Sequence, residues 1–142
     1  ALLLQDAGVA ALDIAGAGGT SWAEVEKHRA STEASRQTAA AFQNWGIPTA
    51  ASIQLVKTSA PNLLIFASGG MRTGIDIAKS IALGAAVGGL AGPFLKAASA
   101  SEEAVSLVIE RIRMELRVSM FVAGAADLDE LSSLEIQPIH FS

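Results

Sequence analysis

The chain has no cysteine, which removes a disulfide framework, a thiolate nucleophile and a sulfur ligand for zinc. Thiol-based redox or hydrolysis is thereby excluded, and a reducing cytosol suits the composition. Charge is also scarce. Only 17% of residues are charged, with 10 basic against 14 acidic side chains and a net charge of −4, so no broad field gathers nucleic acid or anionic lipid. Any phosphate must be held locally. The longest uncharged run, Ser80 to Leu95, is broken by Gly84, Gly88, Gly89, Gly92 and Pro93 and falls short of the roughly 18 residues a spanning helix needs. No transmembrane segment is expected. The two histidines, His28 and His140, lack metal-ligand spacing and read as surface or structural residues. No Ser-His-Asp arrangement or paired-carboxylate pattern stands out.

What is present is a chain of 142 residues that is 51% hydrophobic, apolar enough to bury a core as one globular unit or a piece of one. Residues Ala1 to Gly8 lack an initiator Met and a basic leader, and read as the end of a helix closed by glycine, so the chain is expected to begin in mid-fold. Ala10 to Ala15 is a short apolar run ending in Gly16-Ala17-Gly18-Gly19-Thr20, as for a strand buried on both faces and followed by a tight loop. From Ser21 to Asn44 the polar, alanine-rich sequence predicts loop with one short helix around Glu33 to Gln43. Gly46 stops it, and Pro48 opens a helix over Thr49 to Ser59 with Ile53 and Val56 on its apolar stripe.

Leu63 to Ala67 is the clearest strand, ending in Ser68-Gly69-Gly70. Thr73 caps a helix over Gly74 to Leu83, stopped by Gly84. A third strand is predicted from Ala85 to Leu90, ending in Ala91-Gly92-Pro93. Ser101 opens a long amphipathic helix to about Val122, with Val105, Val108, Ile112, Leu116 and Met120 on one stripe and Gly124 beyond its end. Met114 and Met120 read as core or an oligomer contact. Asp127 and Glu130 form a capping-box-like start to a last short helix.

Strands alternating with helices imply parallel strands and right-handed crossovers, so every strand's C-terminal end emerges on one face. The three glycine loops are expected to meet there, where α/β folds bind ligands and where barrels hold phosphate after their last strands. Three strands cannot close a barrel of about 250 residues. The expected class is α/β, the C-terminal portion of a (β/α)8 TIM barrel comprising about its last three units, with an open edge that the missing N-terminal half or a partner must cover. An open three-stranded sandwich is the alternative.

Ser68-Gly69-Gly70-Met71-Arg72-Thr73-Gly74 is the most informative stretch. A buried strand runs into two residues without side chains and then a capped helix, so backbone N–H groups can approach an oxyanion, the helix dipole adds positive charge, and Arg72 completes the contact. Ala91-Gly92 should lie beside it, and Thr20 adds a hydroxyl. On this reading Gly70→Val blocks binding by filling the phosphate's space, yet costs little if the turn is only structural. Gly16-Ala17-Gly18 is a poor match to a dinucleotide fingerprint, because Ser21 stands where its third glycine belongs. Trp22 and Trp45 fall in loops near the ligand face, where packing is the expected role.

Four stretches taken together, DIAGAGGTSWAEVE (Asp13 to Glu26), NWGIPTAAS (Asn44 to Ser52), ASGGMRTGIDIAKSIALGA (Ala67 to Ala85) and GLAGPFL (Gly89 to Leu95), resemble the type 2 isopentenyl-diphosphate delta-isomerases. The SGG-x-R block alone is shared by many FMN- or phosphate-binding barrels. The GGTSW and NWGIPTA blocks narrow the choice. The resemblance implies an FMN-binding barrel, cytoplasmic and homo-oligomeric (tetramer or octamer), that interconverts isopentenyl and dimethylallyl diphosphate with Mg2+ at the substrate and NADPH to reduce the flavin. It places Thr20 against the flavin, Gly69, Gly70, Met71 and Arg72 at its phosphate, and Ala91 with Gly92 completing the cradle. The family's basic substrate-binding residues, flavin-contacting lysine, glutamine and magnesium-binding glutamate belong to the earlier half of the barrel and match nothing here. No catalytic or metal-binding residue is therefore assigned, and a fragment inactive alone is expected. The alternatives are another FMN-dependent barrel oxidoreductase, resembling IMP dehydrogenase or glutamate synthase, or a non-catalytic phosphate-binding half-barrel.

Overall fold

A computed structural model describes residues 1–136, so His140 lies outside the described residues. The elements run α1 (Leu2–Asp6), β1 (Ala11–Ile14), α2 (Trp22–Arg29), α3 (Glu33–Ala41), α4 (Thr49–Ser59), β2 (Leu64–Ala67), α5 (Gly74–Leu83), β3 (Val87–Gly88), α6 (Gly92–Ala98), α7 (Glu102–Ala123) and α8 (Leu128–Ser132). The three strands form one parallel sheet in the order β1-β2-β3, with Ile14 opposite Ala67 and Ala67 opposite Gly88. Each strand neighbours its successor, and no order reversal of the doubly wound kind occurs.

Helices cover one face of this sheet. Ile14, Ile65 and Ala67 point into a core with Ile53 of α4, Met71 and Ala85, joined by Leu12, Val56 and Leu83. Gly88 lies on the same face, where an added Cβ would touch Ile77 of α5 at 3.0 Å. The opposite face, carrying Asp13, Leu64, Phe66 and Val87, is exposed. The strands are thus not buried on both faces as expected, because the described residues supply one helical layer and no second one. A second core beneath the sheet gathers Ala78 and Ile81 of α5, Ala125 and Leu131 of α8, and Leu116 and Met120 of α7. Met114 is 58% exposed and takes no part in it.

Two helices were not anticipated. In α2, Ser21 accepts a hydrogen bond from the Glu24 amide at 3.3 Å, and Lys27 pairs with Glu24 at 2.9 Å. It packs on α3 and buries no residue fully, so it carries no apolar stripe for periodicity to detect. Trp22 is accordingly the first residue of a helix, not part of a loop. The third strand is shorter than expected because Gly92-Pro93 opens α6, with proline in the first turn where its missing N–H is harmless. Among the described residues no helix is long and apolar enough to cross a membrane.

The amino end of α5 is tightly tied. Thr73 and Asp76 form a reciprocal capping box, and the Asp76 carboxylate accepts from the Arg72 and Thr73 amides at 3.0 Å each. Burial pushes the Asp76 carboxyl up, but the hydrogen bonds from Arg72 and Thr73, helped by the Lys79 charge, outweigh it and hold the group below its ordinary value. A depressed carboxyl stabilises the fold above its unfolded pKa, and that contribution is lost as pH falls through the lower folded pKa. Asp76→Asn is expected to cost about 1 kcal/mol at neutral pH. Melting curves across pH should show the wild type and variant converging in acid.

Candidate functional site

At the C-terminal ends of the strands the β1, β2 and β3 loops enclose a cleft of about 1000 Å³. Its lining includes Thr20, Gly69, Gly70, Met71, Arg72, Ala91 and Gly92, so all seven residues singled out in the sequence meet in one place. Met71 is only 8% exposed and packs in the core with Ile14 and Ile53. It contributes mainly its backbone to the cleft.

The glycines are needed first by the protein itself. Gly69 and Gly70 have φ of +88° and +82°, values in the left-handed half of the map that favour glycine. An added Cβ would fall on the Ala15 carbonyl at Gly69 and on the Gly18 carbonyl at Gly70. From the other side, a Cβ at Gly18 would lie 2.6 Å from the Gly69 carbonyl oxygen, and one at Gly19 would lie 2.9 Å from the Gly70 nitrogen. The β1 and β2 loops are therefore stacked backbone on backbone. Thr49, at the start of α4, fastens the stack by donating its hydroxyl toward the Gly69 carbonyl at 3.1 Å and the Ala15 carbonyl at 3.3 Å. This corrects the expected behaviour of Gly70→Val: the substitution damages the loop packing whether or not a ligand is present.

The α5 dipole is also less available than expected. Arg72 and Thr73 amides are taken by Asp76, and the Gly74 amide by Glu115 at 2.7 Å. Helix α6 differs, since no side chain caps its first turn, and a Cβ at Gly92 would meet nothing within 4 Å. Gly92 thus borders open space, while Gly69 and Gly70 border their neighbours. The cleft is lined by Arg72, Lys96 and Arg111, and by no carboxylate among the described residues. In a chain of net charge −4, that lining is a local concentration of positive charge.

Sequence reasoning missed Lys96, Arg111 and Thr49. Lys96 belongs to the unforeseen α6 and Arg111 comes from α7, some forty residues beyond the β2 loop, so no local motif marks either. The proline-threonine start of α4 did signal Thr49. A second cleft of about 730 Å³ shares Gly18, Gly19, Thr20 and Trp22 with the first and is flanked by Phe42, Trp45, Ile47 and Pro48. Phe42 and Trp45 meet edge to face with ring centroids 5.7 Å apart. Trp22 is 75% and Trp45 81% exposed, so neither is a core residue: Trp45 packs on Phe42, and both indoles line the second cleft while Trp22 also lines the first. His28 is exposed on α2 beside Glu24, away from the cleft.

Residues 1–138 match the family described as FMN-dependent dehydrogenase. The chain belongs to the FMN-dependent dehydrogenase family. Several curated relatives carry another name. It is 44% identical over 135 residues to an isopentenyl-diphosphate delta-isomerase of Rickettsia bellii, covering 95% of this chain and 40% of the relative. Against the isopentenyl-diphosphate delta-isomerase of a Nostoc species it is 50% identical over 125 residues, covering 88% of this chain and 36% of the relative. This FMN-dependent dehydrogenase family member thus spans about two fifths of the length of the curated relatives it matches. Among solved structures, a mandelate oxidase variant with a monooxide FMN adduct superposes with a TM-score of 0.59 at 25% identity, covering 63% of this chain and 29% of that one.

Proposed function

We propose that this chain forms the cofactor-phosphate portion of a flavin-dependent isopentenyl-diphosphate delta-isomerase, built as the last three units of a (β/α)8 barrel. The observation that carries the reading is the cleft itself, where three strand ends present bare glycine backbone and three cations without an acid. A phosphomonoester fits that lining in charge and in access to backbone. The resemblance of the four sequence blocks and the 44% and 50% identities to isomerases support the choice of reaction.

In this reading Gly69, Gly70, Ala91 and Gly92 offer backbone to the phosphate, Met71 braces the turn from the core, Arg72 supplies charge, and Thr20 faces the flavin. Bound there, reduced FMN would supply the proton movement at the allylic carbons, with no net redox change in the substrate. The chain's own share is positioning: Thr49 and the interlocked glycines hold two loops rigid, so the amides need no rearrangement when an anion arrives. The exposed sheet face with Leu64, Phe66 and Val87 is the surface that the remaining barrel strands would cover. NADPH as reductant, Mg2+ at the substrate diphosphate, homo-oligomerisation and a cytoplasmic location complete the proposal.

The full-length protein, given FMN, a catalytic amount of NADPH, Mg2+ and isopentenyl diphosphate, is expected to yield dimethylallyl diphosphate in large excess over the NADPH consumed. Without reduction of the flavin, no product should form. NADPH consumption in step with product, or bleaching of the flavin by a 2-hydroxy acid such as mandelate with no allylic product, would turn the assignment toward oxidation.

A further inference from the structure

Helix α7 carries Arg111 one turn before Glu115, and both meet the amino end of α5. Glu115 Oε2 accepts the Gly74 N–H at 2.7 Å, while Oε1 lies 3.8 Å from Arg111 Nε. Gly74 has no room for a side chain there, because an added Cβ would lie 2.6 Å from the Leu116 nitrogen and 2.8 Å from Glu115 Cβ. The crossing of α5 and α7 therefore fixes Glu115, and Glu115 places a carboxylate beside the half-exposed Arg111 one turn earlier on α7. From that point Arg111 lines the same cleft as Arg72 and Lys96.

Asp76 takes the amides of Arg72 and Thr73 just ahead of α5, Glu115 takes that of Gly74 and the Thr73 hydroxyl that of Asp76, so the amino end of this helix is largely answered inside the protein. Neutralisation of a cleft anion then falls to side-chain cations. Arg72 and Lys96 are exposed, and neither has an ion-pair partner among the described residues. Arg111 is exposed as well, but it alone of the three has a carboxylate neighbour, Glu115, that is itself anchored to backbone. A guanidinium held in this way presents a planar fork suited to two phosphate oxygens, with less rotamer freedom to lose on binding.

We propose that Arg111 is a phosphate-recognition residue of this cleft, contributed by α7 and held in place by Glu115 as a positioning residue. The proposal rests on reading the cleft as the FMN site and adds to it a cation that the glycine motifs do not contain. It confers selectivity for the phosphorylated flavin over riboflavin, since only the former carries the group that Arg111 meets.

The test compares FMN and riboflavin binding to the full-length protein by quenching of flavin fluorescence. Arg111→Gln is expected to weaken FMN about 10- to 100-fold, the usual range for losing hydrogen bonds to a charged group, and to leave riboflavin unchanged. Arg111→Lys should recover part of the loss, because charge returns without the fork. Glu115→Gln, which still accepts from Gly74, should fall between them. In the wild type the preference for FMN should narrow as salt rises, a measurement that needs no variant. A wild-type FMN-to-riboflavin ratio in Arg111→Gln overturns the role of Arg111 alone. Equal loss of both flavins in that variant also overturns it, marking Arg111 as structural. A wild-type protein that binds riboflavin as tightly as FMN overturns the phosphate reading of the cleft, and Arg111 with it.

Discussion

Gly70→Ala is expected to destabilise the chain by at least about 3 kcal/mol, the sum of a left-handed backbone penalty of about 1–2 kcal/mol and the cost of prising two loops apart. Its φ of +82° supplies the first part. The second follows from the Gly18 carbonyl, which occupies the position where a Cβ would be built. A flexible side chain could swing aside, but here the obstacle is backbone, in two loops that Thr49 ties together at the neighbouring Ala15 and Gly69 carbonyls. Gly8 provides the control, since its φ is +85° and a Cβ there meets nothing within 4 Å. Gly8→Ala should therefore cost the dihedral part only. Urea denaturation of the two variants, compared at unchanged m-value, isolates the collision. Equal midpoints for Gly8→Ala and Gly70→Ala would mean that the loops separate freely and that the stacked arrangement contributes little.

That stacking marks the boundary of what the sequence could disclose. The glycine pairs were legible because a short apolar strand followed by Ser68-Gly69-Gly70 has few other structures available to it, and Thr73 with Asp76 announced the helix that follows. The long helix was legible from Val105, Val108, Ile112, Leu116 and Met120, whose three- and four-residue spacing holds one face over about four turns. Why the glycines are glycines was not legible. In sequence, a residue kept bare for a ligand looks the same as one kept bare for a neighbouring loop, and only the positions of the Ala15 and Gly18 carbonyls separate the two. Strand burial misled for a related reason. Leu63-Leu64-Ile65-Phe66-Ala67 is apolar on both sides, as the proposed barrel reading requires of a strand covered on both faces, yet within these residues only Leu63, Ile65 and Ala67 are buried.

Helix α2 illustrates the opposite failure. Ser21 and Glu24 stand at capping-box spacing, a signal present in the sequence, but the polar run behind it has no stripe to confirm a helix. Its stability comes from packing on α3 and from Glu24 with Lys27, which are tertiary and local electrostatic effects of modest size. Arg111 was invisible for a deeper reason: its relation to the cleft exists only because α7 crosses the amino end of α5 at Gly74, and nothing near residue 111 in the sequence records that crossing.

Because Gly69 and Gly70 are reserved for the fold, the residue that can report on a ligand is Gly92. Its Cβ would project into open space, it opens α6 with no side-chain cap, and it lines the cleft beside the three cations. Gly92→Asp should leave stability unchanged or slightly raised, since a carboxylate in a helix's first turn is favourable by some tenths of a kcal/mol and glycine is a poor helix residue. Toward a phosphate the same substitution acts in the opposite direction. Two unit charges of like sign about 5 Å apart at an effective dielectric near 20 repel by about 3 kcal/mol, so FMN affinity should fall on the order of 100-fold. Riboflavin, which lacks the phosphate, should bind nearly as before, and Gly92→Asn should recover much of the FMN affinity because it fills the same space without the charge. Calorimetric titration with both flavins, alongside melting curves, separates these outcomes. A Gly92→Asp protein that melts like the wild type and binds FMN undiminished would move the phosphate away from the amino end of α6 and leave the cleft's cations without the role assigned to them.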